Sequence, residues 1–285
     1  MSLTPVPNPN PRPLVTALVL NYRSPRDTIR CVEALLAQTI ASELEILIID
    51  NHSDDESIGW IRSRYQNTPD VRMIEERDNT GYGCGNNAGL TFVDSEFLLI
   101  INPDNTMPSD GMERMLLSLR NHPDAGIVGP ALVHPDGTVR PSARQFPKMI
   151  DLLQKRLFPD AWQTNYAEWV RSVEKQQEVE VDWLVGACLL MRTELFRSLR
   201  GFDPRFFLFF EDIDLCRRIH LLGKKVLYLP HVRVLDRKHR LSGSSMLSLL
   251  RRKTTWIHFA SALKYFWKWH GSRRSAEAQL LTTTS

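Results

Sequence analysis

Leu14–Tyr22 (LVTALVLNY), Leu44–Asp50 (LEILIID) and Phe97–Ile101 (FLLII, followed by Asn102-Pro103-Asp104) are unbroken apolar runs of strand length that end at Asn or Asp. A β-rich run with no polar alternation has to be covered on both faces, the situation of a central strand in a parallel sheet. Between the runs lie helical patterns. Ser24 as N-cap and Pro25 at the first position precede Ile29, Val32, Leu35 and Leu36 at helical spacing, and Asn51–Tyr65 places Ile58, Ile61 and Tyr65 on one face. Strand and helix in alternation predict an α/β fold, a mostly parallel sheet flanked by helices. Ligands of such sheets bind beyond the carboxyl ends of the strands, so Asn21/Tyr22, Asp50/Asn51 and Asn102–Asp104 should gather at one edge.

Further on, Val71–Glu76 reads as a weaker strand, Asn86–Val93 as a short helix, and Asp110–Asn121 as another. Pro135-Asp136-Gly137 reads as a hairpin turn, Val181–Arg192 as one buried strand, Thr193–Phe202 and Glu211–Lys225 as helices, and Val226–Pro230 as the last strand. Met149–Val179 has no clear periodicity and is expected to hold helices and a mobile loop.

Composition excludes more than it selects. A net charge of +3 is too small to argue for a nucleic-acid partner. Cys31, Cys84, Cys188 and Cys216 lack CxxC spacing, which suggests neither a disulfide framework nor a zinc site and fits a reducing cytosol. Residues 1–13, with proline at alternate positions from Pro5, read as an extended leader without the apolar core of a signal peptide. No run approaches the roughly 18 apolar residues of a membrane span. Arg237–Arg274, in contrast, carries ten Lys/Arg and no acid, interleaved with Trp and Phe.

Three groups carry candidate chemistry. Asp50 and Asp104 at strand ends can serve as turn formers, yet Asp104 follows a proline at the mouth where a polyphosphate would lie, and one carboxylate plus phosphate oxygens can hold Mg²⁺ or Mn²⁺. Asn79–Leu90, with Gly81, Gly83, Gly85 and Gly89, lets backbone approach a ligand, but it is neither a Walker A loop nor a dinucleotide fingerprint. Glu211, Asp212 and Asp214 open a helix, where acids are favoured by its dipole. Their place beside Phe206, Phe207, Phe209 and Phe210 also suits a general base whose pKa is raised by burial, with Asp214 in an orienting or capping role. No serine nucleophile elbow is present.

In this order the segments LVLNYRS, EILIIDNHSDD, RDNTGYGCGNNAGL, LLIINPDNTM, GIVGPALVHPDGTVRPSARQFP and WLVGACLLMRTELFRSLRGFDPRFFLFFEDIDLCRRI resemble the family-2 glycosyltransferases, in particular the bacterial rhamnosyltransferase-like branch. The resemblance runs from Val15 to about Phe266. It implies a GT-A fold and an inverting, metal-dependent transfer from a nucleotide-diphosphate sugar, dTDP- or UDP-linked, to a saccharide or lipid-linked saccharide in cell-surface polysaccharide synthesis. Carried over position by position, Asn21, Tyr22, Asp50 and Asn51 border the nucleotide, and Arg77, Asn79, Gly81 and Asn87 line the donor pocket. Asp104 holds the metal, Asp212 is the catalytic base with Glu211 beside it, and Gly186–Ala187 lies at the acceptor side. Where relatives place a histidine near the metal this chain has Leu235-Asp236, so Asp236 or His239 is the alternative second ligand.

The implied organisation is a catalytic domain over 14–240, with a donor half of about 14–105 and an acceptor half of about 106–240, and a basic-aromatic helical segment over 241–285. On a helical wheel Trp256, Phe259, Ala260, Leu263, Phe266 and Trp267 share a face flanked by Lys253, Lys264 and Lys268. That face would either pack on the catalytic domain or lie on a membrane, so the expected location is cytoplasmic, with peripheral contact at the inner face of the membrane as one outcome. Two other functions compete: a catalytically silent nucleotide-sugar-binding protein of the same fold, and a nucleotidyltransferase, which would need a Gly/Arg/Lys-rich loop where this chain has NYRSPRDT.

Overall fold

The computed structural model describes residues 13–147, 168–169, 171–173, 176, 178–237 and 253–270. The leader, most of Met149–Val179 and His239 lie outside the described residues.

Six early elements follow the alternation read from the sequence. Strand β1 (Val15–Asn21) leads to α1 (Pro25–Leu36), β2 (Leu44–Asp50) to α2 (Ser57–Tyr65), and β3 (Val71–Glu75) to α3 (Tyr82–Leu90). Strand β4 (Phe97–Ile101), the two-residue β5 (Asn105–Thr106), α4 (Gly111–Asn121) and β6 (Ala125–Val133) come next. The short β7 (Ala143–Arg144), β8 (Val179–Glu180) and β9 (Trp183–Leu184) precede β10 (Cys188–Arg192). Helices α5 (Thr193–Ser198) and α6 (Glu211–Leu221), strand β11 (Lys225–Asp236) and helix α7 (Lys253–His270) complete the described chain.

The main sheet runs β3-β2-β1-β4-β10-β6-β11-β5, with β8 added beside β11. Strands β1, β2, β3 and β4 are parallel, while β10 lies antiparallel between β4 and β6. Alternate residues of β1 divide between two cores. Val15, Ala17 and Val19 pack with α1, α2 and α4 on one face, and Leu18 and Leu20 pack with α5, α6 and α7 on the other. Both faces are therefore dry, which explains why the strands carry no polar alternation. Because β10 is inserted between β4 and β6, the expected donor and acceptor halves share one sheet.

Two element boundaries differ from expectation. Val181–Arg192 is not one strand: it breaks into β9 and β10 around a turn at Val185–Ala187, with β9 paired to β7 in a separate two-stranded ribbon. Strand β11 runs on past Pro230 to Asp236, because register shifts against β6 between Leu229 and Arg233 absorb the proline, which has no N–H for the ladder. That extension pairs Asp236 with Asn105 and brings the end of β11 to the turn that carries Asp104.

Candidate active site

Register alone places three polar strand ends side by side, since Asn21 lies opposite Asp50, Asp50 opposite Glu75, and Val19 opposite Ile101. Asn21 Nδ2 donates to Asp50 Oδ1 at 2.6 Å, and the Ser53 N–H donates to Asp50 Oδ2 at 2.8 Å. Thr28 Oγ1 and the Ser24 N–H donate to Asn21 Oδ1, so Asn21 ties the start of α1 to the Asp50 turn. Both residues are buried, whereas Tyr22 just beyond is 43% exposed and presents its ring at the edge. Such a buried amide and carboxylate frame beside an exposed aromatic ring, over which the Arg23 guanidinium lies at 5.3 Å, suits a base and ribose better than a phosphate.

Asn51 and Asn79 shape the glycine loop. Asn51 Nδ2 donates to Asn79 Oδ1 and to the Gly81 carbonyl, and the Gly81 N–H donates to Asn79 Oδ1 at 3.0 Å. Gly81 has φ +88°, and a Cβ there would stand 2.1 Å from the Phe207 carbonyl oxygen. Only glycine lets the next residue, Tyr82, donate its N–H to that same oxygen at 2.8 Å. Arg77 is exposed in the preceding loop. Asn87, expected in the donor pocket, has both ends of its amide on the Phe202 backbone, donating to the carbonyl and accepting from the N–H, each at 2.8 Å. It joins α3 to the Gly201–Phe202 turn.

The Gly186–Ala187 turn links the remaining acids. The Gly186 N–H donates to Asp212 Oδ2 at 2.9 Å, and the Tyr82 hydroxyl donates to the Gly186 carbonyl at 2.5 Å. The Ala187 carbonyl accepts the Asn102 N–H and Asn105 Nδ2, each at 2.8 Å, on either side of Asp104. One two-residue turn thus fixes the turn bearing Asp104 and the carboxylate of Asp212. A Cβ on Gly186 would lie 3.2 Å from Asp212 Cβ, so a larger residue there would press on the Asp212 side chain. Tyr82 was not singled out from the sequence, although its position directly after Gly81 was the available signal. Burial pushes its hydroxyl well above the usual tyrosine range, and the nearby charges of Glu211, Asp212 and Asp104 add to the shift.

Helix α6 starts under backbone strain, for Phe209 and Phe210 have φ +70° and +71°. Left-handed backbone at two bulky residues costs of order 1–3 kcal/mol each and is found where geometry serves a site. Burial raises the Asp212 carboxyl, opposed by the N–H groups of Gly186 and Ile213 that stabilise its charged form. Burial raises Glu211 well above the carboxylate range, with the Asp212 charge adding to it. Glu211 Oε2 is buried with no hydrogen bond from a described residue. Asp214 is fully buried and belongs elsewhere, accepting from Arg218 at 2.9 Å, Lys268 at 2.6 Å and Trp269 Nε1 at 3.0 Å.

A divalent ion fits the oxygen donors at the Asp104 turn. Asn102 Oδ1 is buried and accepts no hydrogen bond from a described residue, two positions before the Asp104 carboxylate. Among the described residues no three His, Cys, Asp or Glu side chains stand together to hold an ion alone, so phosphate oxygens would have to complete the shell. Asp236 is fully buried and ion-paired with Arg140, so its charge is already balanced. The Arg237 N–H donates to the Asp104 carbonyl at 3.1 Å, which ties the end of β11 to the same turn. All four cysteines are free thiols.

Comparison with known proteins identifies the family and the fold. The model of the family described as glycosyl transferase family 2 matches residues 16–200. The chain is 31% identical over 254 residues to the N-acetylglucosaminyl-diphospho-decaprenol L-rhamnosyltransferase of Mycobacterium tuberculosis, covering 82% of this chain and 81% of that protein. It is 25% identical to the rhamnosyltransferase WbbL of Escherichia coli K12, over 65% of this chain and 69% of the other. In fold it is similar to GalNAc-T7 solved with UDP, GalNAc and Mn²⁺ (TM-score 0.61, 16% identity, 82% of this chain and 46% of that one). It is also similar to the mannosyltransferase PcManGT of Pyrobaculum calidifontis solved with GDP-Man and Mn²⁺ (TM-score 0.59, 17% identity, 98% and 81%). The mixed sheet with helices on both faces is the GT-A fold, and the chain is a glycosyltransferase that belongs to glycosyl transferase family 2.

Proposed function

We propose that the protein transfers a rhamnose-like sugar, with inversion, from a dTDP- or UDP-linked donor to a saccharide carried on a lipid diphosphate, in the assembly of a cell-surface polysaccharide. The observation that carries this reading is the Gly186–Ala187 turn, which holds Asp212 through Gly186 and brackets Asp104 through Ala187. In this reading Asn21, Asp50 and Tyr22 border the nucleotide. The Asp104 turn, with Asn102, faces the diphosphate, and the sugar projects toward Asp212.

Asp212 accepts the proton of the acceptor hydroxyl, whose oxygen attacks the anomeric carbon as the bond to the β-phosphate oxygen breaks. One displacement inverts the configuration and needs no covalent enzyme intermediate. Asp104 and Asn102 would hold Mg²⁺ or Mn²⁺, which when bound supplies positive charge to the departing nucleotide diphosphate. Burial raises Glu211 well above the carboxylate range, while the Gly186 and Ile213 N–H groups favour the charged form of Asp212, so Asp212 is the proposed proton acceptor. Arg140 on Asp236 balances a second acid close to the phosphates, and Asp236 or His239 remains the proposed additional ligand. The acceptor preference follows the decaprenol-linked substrate named for the mycobacterial relative. In such a role the protein would work on the cytoplasmic side of the membrane, at its surface.

Calorimetric titration with dTDP-rhamnose, UDP-sugars and GDP-mannose, each with Mg²⁺ or Mn²⁺, tests the donor assignment, followed by transfer to an N-acetylglucosaminyl-diphospho-polyprenol. Binding of a deoxynucleotide sugar and a product one deoxyhexose heavier are expected. Failure of every nucleotide sugar to bind would overturn the reading.

A further inference from the structure

Helix α7 has two faces with opposite partners. One face is packed: Ser261, Ala262 and Tyr265 are buried, Ser261 Oγ donates to the Leu208 carbonyl at 2.9 Å, and the Tyr265 ring lies 5.3 Å from that of Phe210. Lys268 and Trp269 reach Asp214, and Lys268 also reaches Asp203. On the opposite side Trp256, Phe259, Leu263 and Trp267 are 62%, 57%, 56% and 80% exposed. They recur at spacings of three and four, so they form one continuous stripe along the helix. Isolated exposed apolar residues are ordinary on a protein surface, but an aligned stripe of four large ones marks an interface.

Charge says what covers it. The stretch from Arg237 to Arg274 contains ten Lys/Arg and no Asp/Glu, with Arg251, Arg252 and Lys253 just before the stripe and Arg273 and Arg274 just after it. Arginines before and after the aromatic stripe in the sequence match the headgroup layer of an anionic bilayer, where Trp and Phe sit at the apolar boundary and basic side chains meet phosphate, whereas Lys264 and Lys268 are held inward by the Arg205 carbonyl and by Asp203 and Asp214. No described helix is long and apolar enough to cross a membrane, so contact would be in the plane of the surface.

We infer that the outward face of α7 docks flat on an anionic lipid surface and so sets the distance of the catalytic acids from it. The inner face of the same helix touches Leu208 and Phe210, the residues that lead directly into Glu211 and Asp212. The loop that leads into the acids therefore stands about one helix diameter, roughly 10 Å, above the surface on which α7 lies. That height suits an acceptor hydroxyl on a sugar joined through a diphosphate to a membrane lipid. The docking stands on α7 alone, whereas its use for the acceptor rests on the function proposed above.

Flotation of the full chain with vesicles of phosphatidylcholine, with or without phosphatidylglycerol, tests the docking. The wild type should float with the anionic vesicles and much less with the neutral ones, each basic residue at the surface contributing roughly fivefold to partitioning. W256S/F259S/L263S/W267S should lose at least about tenfold in partitioning while keeping its circular dichroism, its melting temperature and its nucleotide-sugar affinity. R251E/R252E/R273E/R274E should lose the preference for anionic lipid. A wild type that stays in solution with both vesicles overturns the inference. So does a wild-type dimer that the four serines convert to monomer without any change in flotation, because the stripe would then join two copies. Retained nucleotide-sugar binding in either case would leave the transferase reading standing.

Discussion

Replacing Asp212 by Asn removes a negative charge without changing shape, and the structure shows that it does more. Asp212 Oδ2 accepts from the Gly186 N–H at 2.9 Å and Oδ1 from the Ile213 N–H at 2.8 Å. A carboxylate satisfies both donors. An amide can satisfy one, and its NH₂ must then face the other N–H. Leaving a buried donor unpaired costs about 1–3 kcal/mol, so Asp212→Asn should lower unfolding free energy by about that amount. Loss of a general base removes a further 10²–10⁴-fold in kcat, about 3–5 kcal/mol of transition-state stabilisation. The donor KM should stay near wild type, because Asp212 is proposed to act on the acceptor. Steady-state kinetics of nucleotide release with saturating acceptor, alongside urea unfolding, separates the two effects. A kcat within tenfold of wild type would refute the role of Asp212 as base, whatever the change in stability.

Two further outcomes follow from the geometry. Glu211 has a native pKa raised above its unfolded value, so the native state keeps a proton that the unfolded chain releases, and stability falls as pH rises from the ordinary carboxylate range through that raised value. Glu211→Gln should flatten this decline and be more stable than wild type at neutral and higher pH in urea titrations across pH; an unchanged slope would contradict it. Gly81→Ala forces a side chain into φ +88° and against the Phe207 carbonyl, so it should cost at least about 2 kcal/mol and weaken nucleotide-sugar binding by freeing the loop. A neutral effect in both measurements would show that the loop does not depend on that contact.

The parts of this fold that could be read in advance are those governed by burial. Strands β1, β2 and β4 are enclosed on both faces, so their sequences are apolar without interruption and the polar residues after them mark the edge of the sheet. Residues whose partners come from distant segments were harder to place. The run containing Trp183 and Leu190 is apolar throughout, and nothing local shows that the Val185–Ala187 turn must leave the sheet to meet Asp212 and Asn102. Strand β11 seemed to stop at Pro230 because the register shift that tolerates a proline depends on β6. The family resemblance puts Asn87 in the donor pocket, yet its amide is committed to Phe202, 115 residues away. Tyr82 gained its significance from Gly186, 104 residues away. The aromatic stripe of α7 was visible on a helical wheel, but Phe266 packs toward the core while Trp256, Phe259 and Leu263 do not, and only tertiary packing decides between the faces.

In the proposed mechanism Asp104 and Asp212 stand on opposite sides of one bound donor. Crystals grown with a bound nucleotide-diphosphate sugar and Mn²⁺, recorded at the manganese absorption edge, measure this directly. An anomalous peak between the Asp104 carboxylate and the diphosphate, with the anomeric carbon turned toward Asp212 across Gly186, is the predicted result. A diphosphate bound away from the Asp104 turn, or a sugar facing away from Asp212, would contradict it.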